Sequence, residues 1–112
     1  MRALFMGSAP LSCASFEVLL DCCDVVGVVT QPDRPQGRSL KVCPCAVKAR
    51  ASGRVGTVLT PERVNDAAAV EAIAALAPDV IVVVAYGQIL RQPLLDLPPQ
   101  GCINVHTSLL PK

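Results

Sequence analysis

Two runs of β-branched residues constrain this chain more than anything else in it: DVVGVVT, at 24–30, and DVIVVVAYG, at 79–87. Neither run alternates apolar with polar. A strand that is apolar at nearly every position needs cover on both faces, as a strand inside a parallel sheet flanked by helices has. The stretches around them supply those helices. SCASFEVLLDCCD carries Phe16, Leu19, Leu20 and Cys23 on one helical face, with Ser12 as its cap. DAAAVEAIAALAPD places Val70, Ile73, Ala74 and Ala77 on another, with Asp66 as the cap and Pro78 as the stop.

Shorter strands complete the pattern: RALFMG at the start, GTVLT as a weak third strand, and CINVH near the end. Pro44 suits the first turn of a short helix over 45–51, Pro61 begins a turn, and RQPLLDLPPQG reads as two short turns. Strands alternating with helices specify an α/β fold: a Rossmann-like, doubly wound, mostly parallel sheet with helices on both faces. At 112 residues the chain amounts to one domain at most.

Between the second strand and the short helix lies QPDRPQGRSLKVCP, with three prolines and one glycine. It has neither helical nor alternating period and reads as a long surface loop without regular structure. Six basic residues (Arg34, Arg38, Lys41, Lys48, Arg50 and Arg54) stand between Asp33 and Glu62 with no acidic residue among them. On a chain whose net charge is only +1, that is a local basic surface.

No apolar run approaches the length of a membrane helix, and the first residues do not make a signal peptide. The expectation is a cytoplasmic protein with no membrane partner. Six cysteines are then reduced, and Cys22-Cys23 and Cys43-Pro44-Cys45 lack a zinc spacing, so they read as small buried or half-buried fillers and no metal is expected.

Ligands of an open parallel sheet sit beyond the carboxyl ends of its strands. Three such ends carry polar groups here: Gly7-Ser8-Ala9-Pro10, Tyr86-Gly87-Gln88, and Asn104 to His106. The sequence argues against a dinucleotide, because the first turn reads GSAPLS rather than G-x-G-x-x-G and the second strand ends in Thr30-Gln31 without a carboxylate. Asn104 and His106, two apart on a strand, share a side. An amide N–H and an imidazole together can stabilise an oxyanion as a carbonyl becomes tetrahedral, although both could equally serve local backbone groups. SLLP follows at once, and two loop leucines with free backbone amides suit a flat heteroaromatic ligand as well as an ordinary strand-to-helix connection.

These motifs carry a resemblance. GCINVHTSLLPK resembles the Asn-x-His and SLLP segment of the folate-dependent formyltransferases. VVTQPDRPQGR with CPCAVK, and PDVIVVVAYGQIL, are similar to the inserted loop and the following strand of the methionyl-tRNA formyltransferase family. The likeness runs from Met1 to Lys112. It implies transfer of a formyl group from 10-formyltetrahydrofolate to the α-amine of methionyl initiator tRNA by a monomeric enzyme. By position, Asn104 and His106 match the catalytic pair. Ser108, Leu109, Leu110 and Pro111 match the folate loop, and Tyr86, Gly87, Gln88, Ile89 and Leu90 the facing wall of the pterin pocket. Arg38, with Arg34 and Lys41 beside it, matches the basic loop that meets the tRNA acceptor end.

The resemblance also implies that 1–112 is the N-terminal portion of a catalytic domain, incomplete at its C-terminus and lacking both the family's proton-handling Asp and its C-terminal β-barrel. On that expectation the isolated chain is inactive. GSAPLS departs from the family's first loop, with Leu11 where a Phe is usual, and RSLKV has fewer lysines than the usual basic loop. Glycinamide ribonucleotide and sugar-nucleotide formyltransferases remain alternatives, as does a non-catalytic α/β remnant.

Overall fold

A computed structural model describes residues 1–8, 12–32, 34–36, 41–43, 46–51 and 53–105, with the backbone path alone at 34–36, 41–43, 46 and 105. Its elements in chain order are β1 (Arg2–Gly7), α1 (Ser12–Cys22), β2 (Asp24–Val29), β3 (Arg34–Gln36), β4 (Lys41–Cys43), α2 (Ala46–Ala51), β5 (Val58–Leu59), α3 (Ala67–Ala75), β6 (Val80–Val84), α4 (Gln92–Leu95) and β7 (Cys102–Val105).

Five strands form one sheet in the order β5-β2-β1-β6-β7, and every pairing in it is parallel. The chain winds outward from β1 to β2 and β5 on one side, then returns to lay β6 and β7 on the other. The switch therefore falls between β1 and β6, paired from Ala3 opposite Val80 to Gly7 opposite Val84.

The uninterrupted apolar strands divide by the two-residue period. Leu4, Met6, Val29, Ile81 and Val83 meet Ile73 of α3, Leu94 of α4, Val64 and Tyr86 on one face. Phe5, Val28 and Val84 meet Cys13 and Phe16 of α1 and Val47 and Ala51 of α2 on the other. The Phe5 and Phe16 rings lie 5.4 Å apart, tilted by 48°. Burying a side chain such as Phe16, fully enclosed here, contributes about 1.5–3 kcal/mol.

Several sequence expectations are corrected. The region 34–41 is not free of regular structure: β3 and β4 form an antiparallel hairpin, with Arg34 opposite Cys43 and Gln36 opposite Lys41. Pro35 is tolerated because a two-stranded ribbon consists only of edges, where a missing ladder donor matters least. Ser12 opens α1, yet its buried hydroxyl donates to the Val84 carbonyl at 2.5 Å, tying the helix to the sheet. A Cβ at Gly7 would lie 2.7 Å from that carbonyl and 2.9 Å from the Ser12 Cβ, so only glycine admits this approach.

Asp66 occupies the N-cap position of α3 without a side-chain cap bond. The buried stripe of α3 runs through Val70, Ile73 and Leu76, while Ala74 and Ala77 are exposed, because the larger side chains take the core. The first half of RQPLLDLPPQG is a one-turn helix with Pro93 in its first turn, where a missing N–H costs nothing. Of the cysteines whose side chains are described, Cys13 is buried, Cys23 and Cys102 are partly buried, and Cys22 is exposed rather than a filler. No helix among the described residues is long and apolar enough to cross a membrane.

Candidate active site

The carboxyl edge of β6 and β7 opens onto a cavity of about 220 Å³ lined by Val83, Gln88, Ile89, Leu90, Leu95, Cys102 and Asn104. Two parallel strands supply its floor. Val83 stands opposite Asn104 and Ile81 opposite Cys102, so the period of two brings Cys102 and Asn104 to the face of α4. Ile103, between them, projects to the other face and is half exposed.

The wall is the turn that follows β6. Ala85 takes a left-handed conformation at φ 50° and Gly87 another at φ 100°. A non-glycine residue in this region is strained by about 1–2 kcal/mol, and such strain concentrates at functional sites. The double bend drops the Tyr86 ring back into the core beside Met6 and Val64 while Ile89 stays 83% exposed at the rim.

Side-chain amides fasten this turn from the loops beside it. Gln88 accepts the Val64 N–H at 2.8 Å and donates to the Pro61 carbonyl at 3.3 Å. Asn65 donates to the Ile89 carbonyl at 2.7 Å and accepts the Arg91 N–H at 2.8 Å. Asn65 escapes sequence reasoning, since it lies in a turn far from the wall along the chain and only the fold brings the two together.

The chemistry of the lining is narrow. Burial pushes the Cys102 thiol up, which keeps it protonated, and its sulfur lies 3.8 Å from the Leu94 carbonyl. It is not poised as a nucleophile. The Tyr86 phenol is pushed up to about 12 by burial and has no hydrogen-bond partner among the described residues, so it does not ionise near neutrality. Among the described residues the rest of the lining is apolar side chain, the Gln88 amide already bonded to Val64, Gln31 and Pro61, and the exposed Asn104 amide, a donor that needs no proton transfer to act.

Of the expected folate wall, Gln88, Ile89 and Leu90 line the cavity together with Asn104; the buried Tyr86 and the exposed Gly87 do not. His106, Ser108, Leu109, Leu110, Pro111 and Arg38 lie outside the described residues, and Arg34 and Lys41 are described by their backbone on the hairpin alone. No group of three potential metal ligands comes together among the described residues.

The profile of the formyl transferase family matches residues 12–112. The chain belongs to the formyl transferase family. It is 50% identical over 113 aligned residues to methionyl-tRNA formyltransferase of Geotalea daltonii, covering 100% of this chain and 36% of that relative. It is 51% identical over 110 residues to the enzyme of the same name from Pelobacter propionicus, covering 97% of this chain and 34% of the relative. The Bacillus licheniformis enzyme is likewise 51% identical over 112 residues, covering 99% and 35%. This formyl transferase chain thus spans about a third of the length of the curated relatives it matches.

Proposed function

We propose that this sequence serves transfer of a formyl group from 10-formyltetrahydrofolate to the α-amine of methionyl initiator tRNA, in the cytoplasm where that tRNA is charged, with a monomer as the working unit. The observation that carries the reading is the Asn104 amide at the rim of an apolar cavity at the sheet's carboxyl edge. The cavity's aliphatic lining suits the flat ring system of a folate. The Asn104 amide is a neutral donor suited to the charge that a formyl carbonyl beside that ring would develop. Identity of about half to three methionyl-tRNA formyltransferases favours methionyl-tRNA over a ribonucleotide or sugar nucleotide as acceptor.

In the proposed reaction the methionyl amine attacks the formyl carbon, forming a new C–N bond and a tetrahedral oxyanion. Asn104 Nδ2–H donates to that oxygen, and His106 is the second group that polarises it. The C–N10 bond then breaks, and the proton lost by the amine goes to the departing folate nitrogen. No metal is required, because the developing charge is met by hydrogen-bond donors.

A chimera tests the reading: residues 1–112 replace the matching third of the Geotalea daltonii enzyme, and formylation of methionyl initiator tRNA is followed with labelled donor. Turnover comparable to the parent is expected. Asn104→Ala should lower kcat by roughly 100- to 1000-fold with little change in the folate KM, since the donor matters most once the oxyanion forms. A chimera that folds but formylates nothing, or full turnover in Asn104→Ala, defeats the assignment.

A further inference from the structure

The wall of the cavity is also held from across the sheet, by a residue that neither the charge pattern nor the Asn-x-His motif points to. Gln31 lies two residues past the end of β2. Its backbone N–H donates to the Ser8 hydroxyl at 2.9 Å, which anchors it to the end of β1. Its side-chain Nε2 donates to the Tyr86 carbonyl at 3.1 Å, and its Oε1 accepts from Gln88 Nε2 at 3.1 Å. β2 and β6 are not neighbours; β1 lies between them. The Gln31 side chain therefore bridges the switch point of the sheet and reaches the turn that lines the cavity.

The fit at the far end is close. A Cβ at Gly87 would lie 2.7 Å from Gln31 Nε2, and Gly87 itself sits at φ 100°, where a side chain is strained. Gln88, the partner of Gln31 Oε1, lines the cavity and also binds Pro61 and Val64. One carboxamide thus sets both the carbonyl before Gly87 and the side chain after it. Gln31 is itself only half-buried and belongs to neither apolar core. Its loss removes hydrogen bonds from the turn without opening a hole in the packing.

We propose that Gln31 is a positioning residue for the formyl donor: it fixes the height of the turn at 86–90 and so the shape of the wall against which the folate ring lies. This rests on the folate reading of the cavity. It assigns Gln31 no contact with substrate.

The test uses the chimera with Gln31→Ala, Gln31→Met, Gln88→Ala, the double variant Gln31→Ala/Gln88→Ala, and Leu90→Asp. Gln31→Ala is expected to raise the KM for 10-formyltetrahydrofolate about tenfold, the equivalent of losing one or two net hydrogen bonds, with the KM for tRNA unchanged. Hydrogen exchange across residues 85–91, measured without folate, should quicken. Gln31→Met keeps the length and bulk of glutamine but neither hydrogen bond, so it should behave like Gln31→Ala. The double variant should be no worse than the worse single one, because the two side chains act as a unit. A wild-type folate KM in Gln31→Met, or unchanged exchange at 85–91 in Gln31→Ala, overturns the proposal. An unchanged folate KM in Leu90→Asp overturns instead the folate reading; the exchange measurement then still decides whether Gln31 holds the turn.

Discussion

Arg54 grips both carboxylate oxygens of Glu17, at 2.6 and 2.7 Å, while its guanidinium carbon lies 5.9 Å from the centre of the Phe16 ring. Arg50 adds a third bond to the same carboxylate at 3.1 Å, so α1 carries one anion that two cations from α2 and the turn after it share. The Arg54 hydrogen bond, with Arg50 assisting, lowers the Glu17 carboxyl from 4.5 to about 2. A carboxyl whose folded value is depressed contributes stability above its unfolded value, and loses it as pH falls through the folded one. The difference in Tm between the protein and Glu17→Gln should therefore be full above about pH 4.5 and vanish toward about pH 2. Because a third of the Glu17 side chain remains exposed, the difference should also shrink in salt. A pH-independent difference would show that Glu17 acts by packing alone.

Arg2 works in a similar way at the end of α3. Its guanidinium donates to the Leu76 and Ala77 carbonyls, covering acceptors that the helix leaves open. Arg2→Ala should destabilise by about 1 kcal/mol in urea unfolding. Ala77 itself sits at φ 51°, just past the helix C-cap Leu76, a place where glycine is the common residue. Ala77→Gly should stabilise the chain by up to about 1 kcal/mol. A loss of stability in that variant would mean the unfolded-state entropy of glycine outweighs the strain relieved.

Ser12 offers a sharper test of a single buried bond. Its hydroxyl is fully enclosed and donates to the Val84 carbonyl, which lies at the end of β6 beside the cavity. Ser12→Ala leaves that carbonyl without the donor and should cost about 1–3 kcal/mol, with the urea m-value unchanged. Ser12→Gly should cost more, since it also weakens the helix. Wild-type stability in Ser12→Ala would imply that water replaces the hydroxyl.

Composition made the sheet legible and concealed the loops. The run at 79–87 reads as a covered strand because Val and Ile at successive positions fit no other environment, and β6 occupies its heart from Val80 to Val84. The hairpin of β3 and β4 was hidden because prolines and charges suppress the alternation that marks a strand, and backbone pairing overrides that local preference. On α3 the sequence offers alanines on every side, so the choice of Leu76 over Ala77 for the core is made by packing. The cavity shows the same division. Asn104 and Gln88 belong to strand ends that the composition marks, and Ile89 and Leu90 come from the family resemblance. Gln31 and Asn65 cannot, because their role depends on the strand order that folds 31, 65 and 86–91 together.

The hairpin makes the tRNA expectation more specific. Arg34 pairs across from Cys43 and Lys41 across from Gln36, so the ribbon's backbone fixes the spacing of two basic positions. If this basic ribbon meets the acceptor end, each cation neutralises phosphate and releases counterions, and affinity then falls with salt in proportion to the number of contacts. In the chimera, Arg34→Ala or Lys41→Ala should raise the KM for methionyl-tRNA and leave the folate KM unchanged. The slope of log affinity against log salt should become shallower by about one for each contact removed. A raised tRNA KM with an unchanged slope would point to a distorted ribbon rather than a lost phosphate contact. Gln36→Ala, which keeps every charge on the pair of strands, separates the two: it should leave both the slope and the KM for tRNA as they are.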